Sequence, residues 1–167
     1  MQAHSLKNTV FMLRPVVIDP RGAPNFRLPP MALSDTQTKA RFVAEFPVNA
    51  SPKILFPYLA TASGLTQWFC DDVRYVEGQR LNFIWDHENH YAEISGQRLN
   101  RAVRFVFLDE HRHSLPDANY LEFSLDSSQV TDEVYLRVVD YSAGHDQAEQ
   151  QEMWEGLVAK LREQVGG

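Results

Sequence analysis

The C-terminal segment constrains the fold more than any other part of the chain. Trp154, Leu157, Val158, Leu161 and Val165 recur at i, i+3, i+4, i+7 and i+11, which aligns them in one stripe along a helix from about Asp146 to Gln164. Glu149, Glu152, Glu155 and Arg162 occupy the other side, and Gly166 suits the C-terminal cap. A stripe this continuous must be buried against an apolar surface of similar length.

The rest of the chain supplies that surface as strands. Ala40, Phe42, Ala44 and Phe46 alternate with polar neighbours. So do Leu81, Phe83 and Trp85; then Val103, Phe105 and Phe107; then Leu121, Phe123 and Leu125; then Val134, Leu136 and Val138. Tyr91 to Ser95 returns from the Asp86-His87-Glu88-Asn89 turn. Between the first strand and the others lie two short helices. Ser51 caps the first and Pro52 opens it, while Pro57 inside it predicts a kink or an early stop. Leu65, Trp68 and Phe69 form the second, with Thr61 to Gly64 as the break before it and Asp71-Asp72 as its end.

The order is therefore strand, two short helices, a run of strands, long helix. It predicts an α+β fold with an antiparallel sheet of about six strands wrapped around the C-terminal helix. A twisted sheet around one helix leaves space between them, and an incompletely filled space of that kind is a natural ligand cavity.

Residues 1–38 are set apart. They hold five of the nine prolines and show no sustained period. They are expected to be a flexible N-terminal arm, or an extension ahead of a start at Met31, with the folded domain over 39–167. The net charge of -6 is uneven, at +2 over residues 1–38 and -8 over the remainder. An acidic body repels phosphate backbones, which argues against nucleic acid as a partner. No apolar run reaches the length of a membrane span, and Arg14-Pro15 splits the nearest candidate for a signal segment. With the single cysteine, Cys70, excluding an intrachain disulfide, a cytoplasmic location is expected.

A run of residues carries a family resemblance. Asn49-Ala50-Ser51-Pro52-Lys53-Ile54-Leu55-Phe56 followed by Thr61-Ala62-Ser63-Gly64-Leu65-Thr66-Gln67-Trp68-Phe69-Cys70-Asp71-Asp72-Val73 resembles the opening of a bacterial START-like domain. Leu81-Asn82-Phe83-Ile84-Trp85-Asp86, Val103-Arg104-Phe105, Tyr120-Leu121-Glu122-Phe123, Val139-Asp140-Tyr141 and Trp154 extend the likeness from about Lys39 to Gly166. Around Trp68-Phe69 the chain is also similar to the heat-shock-chaperone activator homologues of that superfamily. The resemblance implies the helix-grip fold. Its members include lipid-transfer domains, plant allergen proteins and polyketide cyclases, so it does not by itself imply one function.

Motifs for chemistry are sparse. His87 and His90 stand at i, i+3 in a turn rather than at i, i+4 on a helix, and His111-Arg112-His113 lies in a polar loop, so no metal site or cofactor is expected. Cys70 precedes Asp71-Asp72, which disfavours a thiolate. Arg104 and Glu122 read as a cross-strand pair on the solvated face. Glu93 and Asp140 are the ionisable residues whose facing is uncertain. The aromatic residues remain. Trp68, Phe83, Trp85, Phe105 and Trp154 are expected to border the cavity and contact a small apolar ligand, lipid-like or polyketide-like, without catalysis. A protein-interaction or co-chaperone-type module is the alternative reading. A cyclase- or hydratase-type enzyme, which needs polar groups inside the pocket, is a further one.

Overall fold

The computed structural model describes residues 38–144 and 146–166; the expectation of an arm or an extension over residues 1–38 falls almost entirely on residues outside the described ones. The elements run β1 (Lys39–Val48), α1 (Pro52–Ala60), α2 (Ala62–Thr66), β2 (Asp72–Tyr75), β3 (Arg80–Trp85), β4 (Glu88–Arg98), β5 (Ala102–Phe107), β6 (Tyr120–Ser127), β7 (Val134–Ala143) and α3 (Gln147–Val165). The strands form one antiparallel sheet in the order β1-β7-β6-β5-β4-β3-β2. After β1 the sheet is a simple meander, and β1 joins it beside β7.

Strand alternation sets which face is buried. Leu81, Phe83 and Trp85 on β3, Val103 and Phe105 on β5, Leu121 and Phe123 on β6, and Leu136 and Val138 on β7 all point to one side and are buried. Met153, Trp154, Leu157, Val158 and Leu161 of α3 are buried with them in one core cluster. The α+β helix-grip architecture read from the sequence is the one observed, with seven strands among the described residues rather than about six.

The extra strand is β2. Asp72–Tyr75 is a four-residue edge strand with only Val73 buried, too short for its alternation to stand out. The second helix also differs, spanning Ala62–Thr66, upstream of the expected position, and leaving Trp68 and Phe69 in the turn that follows. Thr61 explains the shift. It ends α1 and caps α2, its Oγ1 accepting from Gly64 N at 3.0 Å and donating to the Pro57 carbonyl at 2.7 Å. Pro57 lies inside α1, where its missing N–H leaves a bond to Lys53 unmade, and the helix ends three residues later. The β3–β4 hairpin turns at Asp86 (φ 50°) and His87 (φ 69°), a two-residue connection, so β4 begins at Glu88.

The termini of α3 are as expected. Asp146 caps it, accepting from Ala148 N at 2.7 Å and Glu149 N at 3.0 Å, and Gly166 closes it in the left-handed region at φ 91°. Those backbone bonds hold the Asp146 carboxyl below its ordinary range.

The elbow between α1 and α2 is the tightest place in the fold. A methyl group on Gly64 would overlap the Pro57 carbonyl oxygen and stand 2.6 Å from Tyr58 Cα, both backbone atoms with nowhere to go. Trp68 locks the same elbow, donating its indole N–H to the Tyr58 carbonyl at 2.9 Å. Gly64→Ala is therefore expected to destabilise the chain by about 1–3 kcal/mol or more, from overpacking. The signature is a lower urea midpoint at unchanged m-value.

Candidate functional site

The five aromatic residues singled out in the sequence come together beneath α3. Trp68, Phe83, Trp85, Phe105 and Trp154 are all buried, at 2% exposure or less. Phe69, in the turn after α2, is what unites them. Its ring stacks on Trp154 at 5.7 Å and 17°, and meets Trp85 edge-on at 5.3 Å, Phe83 at 5.8 Å and Trp68 at 5.4 Å. Phe83 in turn stacks on Trp85 at 5.8 Å and meets Phe105 edge-on at 5.4 Å. Phe123 joins Trp68 at 5.6 Å and Trp154 at 5.9 Å. These are contact distances, so the rings themselves occupy the space they border. The signal for Phe69 was present in its sequence position beside Trp68, but a turn residue has no periodicity to reveal which way it points.

One polar cluster lies in this apolar layer. Asp140 on β7 is fully buried, with Ser142 and Gln150 beside it. Its Oδ2 accepts the Trp154 indole N–H at 3.1 Å and its Oδ1 accepts the Ser142 hydroxyl at 3.0 Å. Gln150 is a third hydrogen-bond partner. Burial pushes the carboxyl from its ordinary 3.8 up to about 7, against the opposing pull of the three hydrogen bonds from Trp154, Ser142 and Gln150. Period-two alternation along β7 puts Asp140 on the same face as Leu136 and Val138, which resolves its facing. Glu93 faces the other way and pairs with Arg80 at 3.6 Å.

The outer face carries a different arrangement. Arg104 lies opposite Glu122, as expected of a cross-strand pair, but its guanidinium stands over the Tyr120 ring at 3.9 Å. Tyr120 stacks on Tyr141 at 5.2 Å, and Lys39 lies over the far ring at 5.7 Å while bonding the Asp117 carbonyl. The Tyr141 hydroxyl donates to Asp117 at 3.0 Å, which raises its pKa.

Among the described residues, clefts open to solvent at opposite ends of the sheet. The larger, about 840 Å³, lies among the end of β1, the start of α1 and the β6–β7 hairpin, lined by Val48, Ser51, Pro52, Asp132, Val134 and Arg162. The smaller, about 420 Å³, lies between the β4 start and the loop after β5, lined by His90, Tyr91, Phe107, Leu108 and Asp109. None of the five ring residues lines either cleft. His90 and the start of the His111-Arg112-His113 loop, at Asp109 and Glu110, both border the smaller cleft. His111 and His113 are organised by Asp109, whose carboxylate accepts both backbone N–H groups at 2.9 and 2.8 Å and is held below its ordinary range by them. Among the described residues no three His, Cys, Asp or Glu side chains are placed to share a metal ion. Nor is any helix among them long and apolar enough to cross a membrane.

This fold, with its buried aromatic cluster beneath one helix, agrees with a family match. The START-like superfamily domain matches residues 36–167. The chain belongs to that superfamily. No curated protein matches the sequence. Similar solved structures include the Aha1 dimer of Colwellia psychrerythraea, at TM-score 0.60 and 17% identity over 75% of this chain and 96% of the other. BfR322 of Bacteroides fragilis is similar at TM-score 0.53 and 26% identity, covering 77% of this chain and 92% of its own. DynU16, a protein of the dynemicin biosynthetic locus, is similar at TM-score 0.60 and 14% identity over 75% of this START-like chain and 47% of its own.

The Asp140 arrangement sets a sign for pH dependence. Because the folded-state pKa lies above the unfolded value, the acid's contribution to stability is full below about pH 4 and declines as pH rises to about 7. Asp140→Asn removes that decline. The stability of the variant relative to wild type is expected to grow over this window by up to about 4 kcal/mol and to level off above it. Urea titrations of both proteins at intervals from pH 4 to 8.5 measure it.

Proposed function

We propose that this START-like domain is a binding module for a small apolar molecule, lipid-like or polyketide-like, taken up between the sheet and α3 against Trp68, Phe83, Trp85, Phe105 and Trp154. The observation that supports this reading is the unbroken ring surface that spans β3, β5, α3 and the turn after α2, with no lysine, arginine or histidine among its buried members. Aromatic faces of this kind supply large apolar contact at little conformational cost. Since the rings touch one another, a ligand enters only if α3 or the α2 turn moves off the sheet and its own surface replaces the ring contacts.

A catalytic reading has less support. A cyclase or hydratase working inside the pocket needs an acid and a base there. Asp140 is, among the described residues, the one acidic or basic side chain that is buried, and its oxygens are already engaged. A protein-interaction role is the second reading, favoured by the close packing of the interior together with the open 840 Å³ cleft at the β1–α1 end. We place the site in the cytoplasm on the sequence grounds given above.

The test is native against denaturing mass spectrometry of the full chain, with organic extraction of any bound compound, and titration with a fluorescent fatty acid. All three tryptophans lie in the proposed lining, so the expected result is energy transfer from tryptophan to the probe, alongside an extra mass that leaves on denaturation. No extra mass, and no transfer to any apolar probe, would overturn the ligand reading in favour of the protein-interaction one.

A further inference from the structure

We propose that Asp140 is a proton-operated latch for the first half of α3: as a neutral acid it holds residues 147–155 on the sheet through Trp154 and Gln150, and loss of its proton lets that half swing away.

The geometry divides α3 into two parts. Gln150 and Trp154, the residues that reach Asp140, both lie in the N-terminal half. The C-terminal half is fastened by other means. Arg162 donates from Nε and Nη2 to the Pro47 carbonyl at 3.0 and 2.7 Å, and the Tyr58 hydroxyl donates to the Gln164 carbonyl at 3.4 Å. Leu157, Val158 and Leu161 bury the rest.

Gly156 lies between the halves. Nothing stands within 4 Å of where its Cβ would be, so packing does not require glycine there. A glycine inside a helix costs about 1 kcal/mol relative to alanine and loosens the backbone locally. Gly144, at φ 84°, gives a second flexible point between β7 and α3. The latch half is thus bounded by glycines at both ends.

Among the described residues the latch meets no cation that would retain its charge. Across the sheet Asp140 faces Phe42 on β1 and Leu121 on β6. From α3 it meets Gln150 and Trp154, and the turn after α2 presents Phe69 to the other side of Trp154. The charged residues of these elements point outward or lie in solvent. They are Lys39, Arg41 and Glu45 on β1, Asp71 in the turn after α2, Glu122 and Asp126 on β6, Arg137 on β7, and Glu149, Glu152, Glu155, Lys160, Arg162 and Glu163 on α3, with Arg162 engaged by the Pro47 carbonyl. Among the described residues three neutral donors surround the carboxylate, and an ionised Asp140 is stabilised less by them than by water. Opening lets water in and removes that penalty.

Linkage then sets the response. With the closed-state pKa raised to about 7 from an ordinary 3.8, the opening equilibrium grows about tenfold per pH unit between those values and levels above pH 7. The device operates whatever the domain binds, and the ligand reading can fail without it.

Amide hydrogen exchange on the full chain tests the proposal, with protection factors corrected for the intrinsic pH dependence of exchange. In wild type, protection of residues 147–155 is expected to fall about a hundredfold from pH 5 to 7 and then flatten, while residues 157–165 change less. Asp140→Asn, which keeps a side-chain oxygen for the indole N–H, is expected to lose the dependence. Gly156→Ala is expected to reduce opening about fivefold. Trp154→Phe removes a donor to the charged form and is expected to extend the fall to higher pH, which tests the latch even if Asp140→Asn does not fold. Protection of 147–155 that is flat from pH 5 to 7 in wild type, or that falls equally in Asp140→Asn, would overturn the latch. An unaltered opening in Gly156→Ala would overturn the hinge.

Discussion

Trp154 is held from two directions, and the remaining structure is arranged around that fact. One face of its ring lies on Phe69 at 5.7 Å, and its N–H reaches Asp140 at 3.1 Å. The first contact ties α3 to the turn after α2, and the second ties it to β7. A single helix has to cover most of a seven-stranded sheet, and an apolar stripe alone would let it slide or rotate. A directional hydrogen bond in the middle of the stripe fixes its register, at the expense of burying a carboxyl among rings.

The position of Phe69 depends in turn on a small amount of backbone chemistry. Thr61 joins α1 to α2, Gly64 lets them approach, and Trp68 fastens the turn to the Tyr58 carbonyl. These residues place Phe69 where Trp85, Phe83 and Trp154 converge. The outcome is a wall of aromatic rings whose contacts are individually weak and non-directional. Such contacts tolerate rearrangement, whereas the Asp140 cluster requires each of its partners. The interior therefore combines an adaptable surface with one group whose state is set by a proton.

Much of the fold was legible because it rests on periodicity. Leu81, Phe83 and Trp85, or Trp154, Leu157, Val158 and Leu161, show their element type in their spacing alone, and the caps Ser51, Asp146 and Gly166 mark ends by chemistry. The errors fall where periodicity is short or overruled. Asp72–Tyr75 has too few residues to alternate visibly. Thr61 initiates a helix inside what reads as a break, because one hydroxyl serves two helices at once. The candidate site was legible as a set of aromatic residues but not as a geometry. Nothing in the spacing shows that Phe69 joins the rings, and the sequence marks Asp140 and Glu93 alike as ionisable residues of open facing, which only the strand register and Trp154 tell apart. Arg104 illustrates the same limit, since its strand position is correct in the sequence reading while its partner, the Tyr120 ring, depends on rotamers.

The packing of α3 rests on a carboxyl that is buried, hydrogen-bonded by neutral donors and, among the described residues, without a cation. The side-chain carboxyl ¹³C shift of Asp140, followed by nuclear magnetic resonance from pH 3 to 9 and assigned with Asp140→Asn, measures that state directly. The predicted titration midpoint is about 7. A midpoint near the ordinary 3.8 would mean that water or a positive charge reaches the group, and would contradict the arrangement on which the packing of α3 is argued.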